Sequence, residues 1–146
     1  MSAELRGEAF EPTTELQAFE ARLDAGKYGA CVSFVGSMRD FNAGDDVSAM
    51  SLEHYPKMTL QFLETICEEA KSRWDILDCL IIHRYGDLQP SDPIVLTAAW
   101  SAHRHEAFEA CRYLIEELKT RAPFWKKETT ESGERWVHDA PSAPDS

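Results

Sequence analysis

The segment Ile94–Trp100 constrains the fold most, because nearly every residue in it is apolar. A strand of this kind is central or covered on both faces, so other elements must pack above and below it. Three more segments have the β-forming or alternating pattern of strands: Gly29–Gly36, Val47–Tyr55 and Ile76–Tyr85. We expect the first two of these to pair as a hairpin. Turn-rich Gly86–Asp92 then connects the third to the central strand.

Apolar residues at three- and four-residue spacing predict three helices among these strands. The first covers about Thr14–Ala25 and the second about Met58–Trp74. The third begins at Ser101, a plausible helix cap, and ends before Pro123. The N-terminal stretch Met1–Pro12 has no clear period, so we expect either a loose arm or a strand that pairs at an edge.

Size and charge limit the possible functions. The chain has 146 residues, 43% of them hydrophobic, which suits one globular domain over residues 1–138 with a disordered tail at 139–146. The formal charge of -11 argues against broad nucleic-acid binding and against binding to anionic membranes. No apolar run approaches the roughly 20 residues of a membrane span, and Met1–Phe10 contains no hydrophobic block of the signal-peptide kind. We therefore expect a cytoplasmic protein.

The cysteines do not suggest a metal site. Cys31, Cys67, Cys79 and Cys111 lie far apart in apolar segments and have no paired spacing. This pattern favours reduced thiols in the core over a zinc site or a redox pair.

The segment Leu118–Glu128 gathers four cations and two aromatic residues on an otherwise acidic chain. Lys119 falls in the final turn of the third helix, beside an apolar face formed by Phe108, Cys111, Ile115 and Leu118. Because Pro123 ends the helix, the chain continues as a strand or firm loop that carries Lys126. The two amines can therefore approach each other through a change of chain direction.

Two interpretations of these lysines remain open. Lysines in a last helical turn favour the helix dipole and often do nothing else. The neighbouring Phe124 and Trp125 favour a functional role, because aromatic walls exclude water and a desolvated amine loses part of its preference for the charged form.

Two other groups of cations suggest an anion site, although each has a structural alternative. Arg39 follows a buried strand and suits a planar oxyanion, or it pairs with a nearby acid such as Asp40. His103 and Arg104 fall near a helix start, where free amides already favour anions. Alternatively, they are surface residues balanced by Glu106.

Five blocks of the sequence together resemble the large, catalytic subunit of molybdopterin synthase, over about Gly29–Trp136. They are Gly29–Gly36 leading to Arg39, Leu52–Met58, His83–Gly86, Ser101–Arg104 and Leu118–Glu128. Met38 and the loop Asp40–Asn42 depart from the residues usual in that family.

The resemblance implies an α+β fold of the α/β-hammerhead kind, with a mixed or antiparallel sheet and about three helices packed on it. It also implies a homodimer at the core of a heterotetramer. Each end of that assembly receives a small ubiquitin-like sulfur carrier whose C-terminal Gly-Gly tail ends in a thiocarboxylate. The substrate is a pterin, cyclic pyranopterin monophosphate, and two sulfur transfers form the dithiolene of molybdopterin.

Carried onto matching positions, the resemblance makes Lys119 and Lys126 the catalytic residues. The residues implied to line the pterin and phosphate pocket are Ser37, Met38, Arg39, His103, Arg104, Lys127 and Glu128. Lys119 is expected to act as proton-transfer group or transient nucleophile, and Lys126 to stabilise negative charge. No catalytic cysteine is expected, because the partner brings the sulfur. No metal or cofactor is expected either.

Two further classes of function remain open. A non-catalytic adaptor would bind the Gly-Gly tail without transferring sulfur. A generic anion-binding α+β domain is what the residues support without the resemblance.

Overall fold

The computed structural model describes residues 2–121 and 124–137, and within these ranges the chain forms three helices and nine strands. The helices are α1 (Pro12–Glu20), α2 (Pro56–Arg73) and α3 (Arg104–Arg121). The strands are β1 (Ala3–Arg6), β2 (Ala30–Ser37), β3 (Phe41–Asn42), β4 (Asp45–His54), β5 (Asp78–Arg84), β6 (Gly86–Leu88), β7 (Pro93–Ser101), β8 (Phe124–Thr130) and β9 (Gly133–Val137). The expected α+β class, with a mixed sheet and three helices, is confirmed.

The first sheet has the strand order β1-β5-β7-β2, with β1 parallel to β5 and the other pairs antiparallel. Its two central strands are buried on both faces. Ile81 and Val95 face α2 and α3, whereas Ile82 and Leu96 face Phe19 of α1. The prediction that Ile94–Trp100 is covered on both faces is therefore confirmed, and β1 takes the edge-pairing form expected for the N-terminal arm.

The second sheet has the order β3-β4-β8-β9, with β6 also paired to β4. Its inner face buries a separate apolar cluster of Val47, Met50, Leu52 and Leu88 together with Met38, which follows β2. The predicted hairpin between β2 and β4 is wrong, because β2 pairs with β7 and β4 pairs with β8. The apolar β7 offers β2 a buried partner that is distant in sequence.

Several helix predictions need correction at their ends. α1 begins at Pro12, because proline suits a first helical position, and it ends at Glu20. α2 likewise begins at Pro56. Phe108 was expected on the buried face of α3, but its side chain is 60% exposed, and Ala107 is buried instead.

Ser101 ends β7 and does not cap α3. Its hydroxyl donates a hydrogen bond to the carbonyl of His103, which itself precedes the helix. At the other end, α3 ends at Arg121 and β8 begins at Phe124, so the predicted change from helix to strand is confirmed.

No helix in the described part of the chain is long and apolar enough to cross a membrane. The predicted tail, residues 139–146, lies outside the described residues, and the single-domain assignment stays a prediction.

Candidate active site

The last turn of α3 and the strand β8 enclose a cavity of about 200 Å³. Lys119 enters it from the helix and Lys126 from the strand, and both side chains are half-buried. The structure thus brings together the two lysines that the sequence places seven positions apart. The remaining lining residues are Leu52, His83, Ile94, Leu118, Thr120, Phe124, Trp125 and Val137.

The local sequence explains why both amines reach this cavity. Leu118 is buried in the core, which fixes the rotation of α3 and places Lys119 at the edge of the packed face. In β8, Lys126 lies opposite Leu52 of β4 and Val137 of β9, on the inner face of the second sheet. Apolar neighbours on both sides reduce the water around the amine.

His83 also lines the cavity and is only 4% exposed. Its ring stacks on Phe124, with centroids 3.9 Å apart and ring planes 16° apart. Burial lowers the pKa of His83 to about 3, and the positive charges of Lys119 and Lys126 act in the same direction. The imidazole is therefore neutral at the pH of the cell.

Lys127 and Glu128 do not line this cavity. Lys127 projects from the opposite face of β8, where its amine lies over the ring of Trp136 and 3.5 Å from Glu134. Glu128 is buried, and its carboxylate accepts hydrogen bonds from Asn42 at 3.0 Å and Arg135 at 3.2 Å. In this structure both residues make contacts within the second sheet.

The residues after β2 also separate from one another. The Met38 side chain is buried in the core of the second sheet, and its backbone exchanges hydrogen bonds with Asp92 and Ser91. Ser37 is exposed, and the exposed Arg39 places its guanidinium over the ring of Phe41. Arg39 therefore stands at the surface, where an anion can reach it.

His103 and Arg104 lie at the far end of the helix that carries Lys119. Fifteen residues separate Arg104 from Lys119, which at 1.5 Å per residue is about 22 Å. Within one chain, these two side chains do not reach the lysine cavity. Both are exposed at the start of α3.

The two amines suit the binding of an anion. Among residues 2–121 and 124–137, no three His, Cys, Asp or Glu side chains are grouped to hold a metal ion. Two amines that line one small cavity can attract an anion, transfer a proton or form a covalent bond to a carbonyl carbon.

Sequence reasoning missed His83 as part of this site. A histidine at the end of an apolar strand more often has a structural role, and its contact with Phe124 joins segments 41 residues apart. The strand β9, which brings Val137 to the cavity, was missed as well.

The chain is similar to proteins of known family. A family model described as MoaE protein matches residues 9–121. The molybdopterin synthase catalytic subunit of Pseudomonas aeruginosa is 50% identical over 137 residues, covering 94% of this chain and 90% of that protein.

Solved structures agree with this similarity. A molybdopterin biosynthesis MoaE protein from Burkholderia ambifaria matches with a TM-score of 0.81 and 44% identity, covering 98% of this chain and 92% of that one. A molybdopterin synthase from Staphylococcus aureus matches with a TM-score of 0.83 and 34% identity, covering 92% and 96% of the two chains.

Proposed function

Because the chain belongs to the MoaE protein family and is a catalytic subunit of molybdopterin synthase, we propose that its sulfur transfer takes place in the cavity of Lys119 and Lys126. The reaction moves two sulfurs from a thiocarboxylated, ubiquitin-like carrier to cyclic pyranopterin monophosphate. One observation carries the proposal: amines from two different elements line a single small cavity.

The two lysines have different roles in this reaction. Lys119 acts on the substrate or on the thioester carbonyl, as a proton-transfer group or as a transient nucleophile. Lys126 stabilises negative charge on the incoming tail or on the leaving oxygen. Carbon-oxygen bonds of the pterin are replaced by carbon-sulfur bonds, and the cyclic phosphate opens to a monoester. The carrier supplies the sulfur, so no cysteine of this chain takes part.

A second copy of the chain completes the site. His103 and Arg104 bind the substrate phosphate, but about 22 Å of helix separates them from Lys119 within one chain. They therefore act in the cavity of a partner protomer. The homodimer forms through the edge strand β2 and the adjoining face of α3, where Phe34 and Phe108 are 41% and 60% exposed.

The free thiols support a reducing compartment such as the cytoplasm. All four cysteines lie within the described residues, none is paired, and three of them are buried. Disulfides are rare in such compartments.

The test is reconstitution with purified chain, thiocarboxylated carrier and pyranopterin substrate, with dithiolene as the measured product. Lys119→Ala is expected to abolish product while the variant stays folded and binds the carrier. Lys27→Ala, an exposed lysine outside the cavity, is the matched control. Near-normal turnover by Lys119→Ala would overturn the assignment. Carrier binding without product by the unaltered chain would favour the adaptor function.

A further inference from the structure

Among the described residues that line the cavity, His83 contributes an imidazole, and its environment fixes which of the two ring nitrogens carries the proton. Its Nδ1 lies 2.8 Å from the backbone carbonyl oxygen of Arg84. A carbonyl oxygen only accepts hydrogen bonds, so Nδ1 must be the donor. In a neutral imidazole, Nε2 then carries a lone pair and no proton.

The charged groups around the ring keep it neutral. Lys119 of α3, Lys126 of β8 and His54 of β4 face it, and each opposes a further positive charge. Burial acts in the same direction and is the largest influence, whereas the carbonyl of Arg84 acts against it. The stack on Phe124 holds the ring plane, so the lone pair on Nε2 has a fixed direction.

We propose that His83 is a positioning residue for sulfur transfer, with the Nε2 lone pair accepting a hydrogen bond from the ammonium group of Lys119. The proposal rests on the function proposed above for the lysine cavity. Nδ1 is hydrogen-bonded to the carbonyl of Arg84, which leaves Nε2 as the acceptor of the ring. His83 and Lys119 line the same cavity, where this acceptor can meet the ammonium group. The imidazole therefore anchors the lysine to the rigid central strand β5.

A neutral acceptor suits this site better than a carboxylate. A carboxylate would neutralise the lysine and repel both the phosphate of the substrate and the thiocarboxylate of the carrier. A neutral imidazole orients the ammonium group and leaves the positive charge available to those anions. The cavity thus keeps both positive charges while one amine is held in place.

Turnover of two variants tests this role. His83→Phe keeps a ring to stack on Phe124 and removes the acceptor, whereas His83→Gln keeps an acceptor oxygen. We expect His83→Phe to lower kcat by up to about 100-fold with little change in KM, because misplacement by about 1 Å costs that much. We expect His83→Gln to recover part of the loss.

The pH profile separates positioning from a structural role. A hydrogen bond to the ammonium form favours that form, so its loss makes the lysine release its proton more readily. The limb of the kcat profile that reports Lys119 should therefore move to lower pH in His83→Phe. It is the basic limb when Lys119 donates a proton and the acid limb when Lys119 acts as the nucleophile. Unchanged kcat and an unchanged pH profile in a folded His83→Phe would overturn the proposal.

A spectroscopic measurement decides the same point without turnover. In the full chain labelled with 15N-histidine, the His83 resonances are assigned by their loss in the His83 variants. We expect Nδ1 protonated and Nε2 unprotonated from about pH 5 to 8. Lys119→Ala should shift the Nε2 resonance, and Lys27→Ala should not. A protonated Nε2, or one that ignores Lys119→Ala, would overturn the proposal.

The dithiolene assay and the nitrogen resonances together distinguish the proposed function from the proposed role of His83. Absence of dithiolene with the unaltered chain would overturn the proposed function, and the nitrogen resonances would still report whether His83 contacts Lys119. Conversely, normal dithiolene formation with an unresponsive Nε2 would overturn only the role of His83.

Discussion

The ring of His83 lies on the ring of Phe124, with centroids 3.9 Å apart. His83 belongs to β5 in the first sheet, whereas Phe124 begins β8 in the second. The stack therefore joins the two sheets at the cavity, directly beside the place where α3 gives way to β8. Lys126 follows Phe124 by two residues in β8, so the two side chains lie on the same face of the strand.

Phe124→Ala is expected to loosen both the fold and the site. Loss of a large apolar side chain from a packed position costs about 3 kcal/mol, and somewhat less here because Phe124 is only half-buried. Urea denaturation of the purified variant measures this cost. Trp136→Ala, which removes a 55% exposed ring and its contact with the amine of Lys127, is the control and should change stability by no more than about 1 kcal/mol. Equal effects of the two substitutions would contradict the linking role of the stack.

The buried His83 predicts a stability that falls in acid. Its pKa is about 3 in the folded protein against an ordinary 6.5, so the unfolded chain binds an extra proton between these values. The stability contributed by the neutral ring is complete above pH 6.5 and is lost as the pH falls toward 3. This single group adds a slope of about 1.4 kcal/mol per pH unit in that window.

Denaturation of the unaltered chain and of His83→Phe at several pH values measures this slope. The difference between their stabilities should shrink or reverse as the pH falls from 6.5, because the variant lacks the titrating ring. His105→Gln, at an exposed position on α3, should follow the unaltered chain. Parallel curves for His83→Phe and the unaltered chain would show that His83 does not titrate as its burial requires.

The approach of Lys119 to Lys126 was predictable because local rules control it. An apolar helical face predicts the position of one amine, and a proline in the sequence after that face predicts that the helix ends before the other amine. The pairing of β2 with β7 was not predictable in this way, since either β4 or β7 offered a suitable partner and tertiary burial decided between them. The stack of His83 on Phe124 left no signal in either local segment.

The separation of Arg104 from Lys119 was present in the sequence as a helix length. Helical periodicity places the two residues at opposite ends of one helix, and the helical rise converts fifteen residues into about 22 Å. The resemblance implies that both line one pocket and leaves open whether that pocket is shared across the dimer. Both residues can line one pocket only if a second protomer contributes to it.

Glu128 is expected to act on stability more than on turnover. Glu128 is 4% exposed, and its carboxylate accepts hydrogen bonds from Asn42 and Arg135. Glu128→Ala therefore removes one partner of the half-buried Arg135 guanidinium. We expect a loss of about 2 kcal/mol by urea denaturation, below the value for a fully buried pair because Arg135 is partly in water. Glu134→Ala, at an exposed acid of β9, is the control. A stable but inactive Glu128→Ala would instead place Glu128 in the pterin pocket.

Mixed dimers should reveal that the pocket is shared between protomers. Lys119→Ala and Arg104→Ala are each expected to be inactive as homodimers. In a dimer with one copy of each, one shared site carries both substitutions and the other carries neither, so about half of the activity should return. Differently tagged chains, co-expressed and purified through both tags, provide this dimer for the dithiolene assay.

A dimer pairing Lys119→Ala with Lys126→Ala is the control and should stay inactive, because both lysines belong to one protomer's cavity. If the first mixed dimer were also inactive, His103 and Arg104 would have no place in the partner's site.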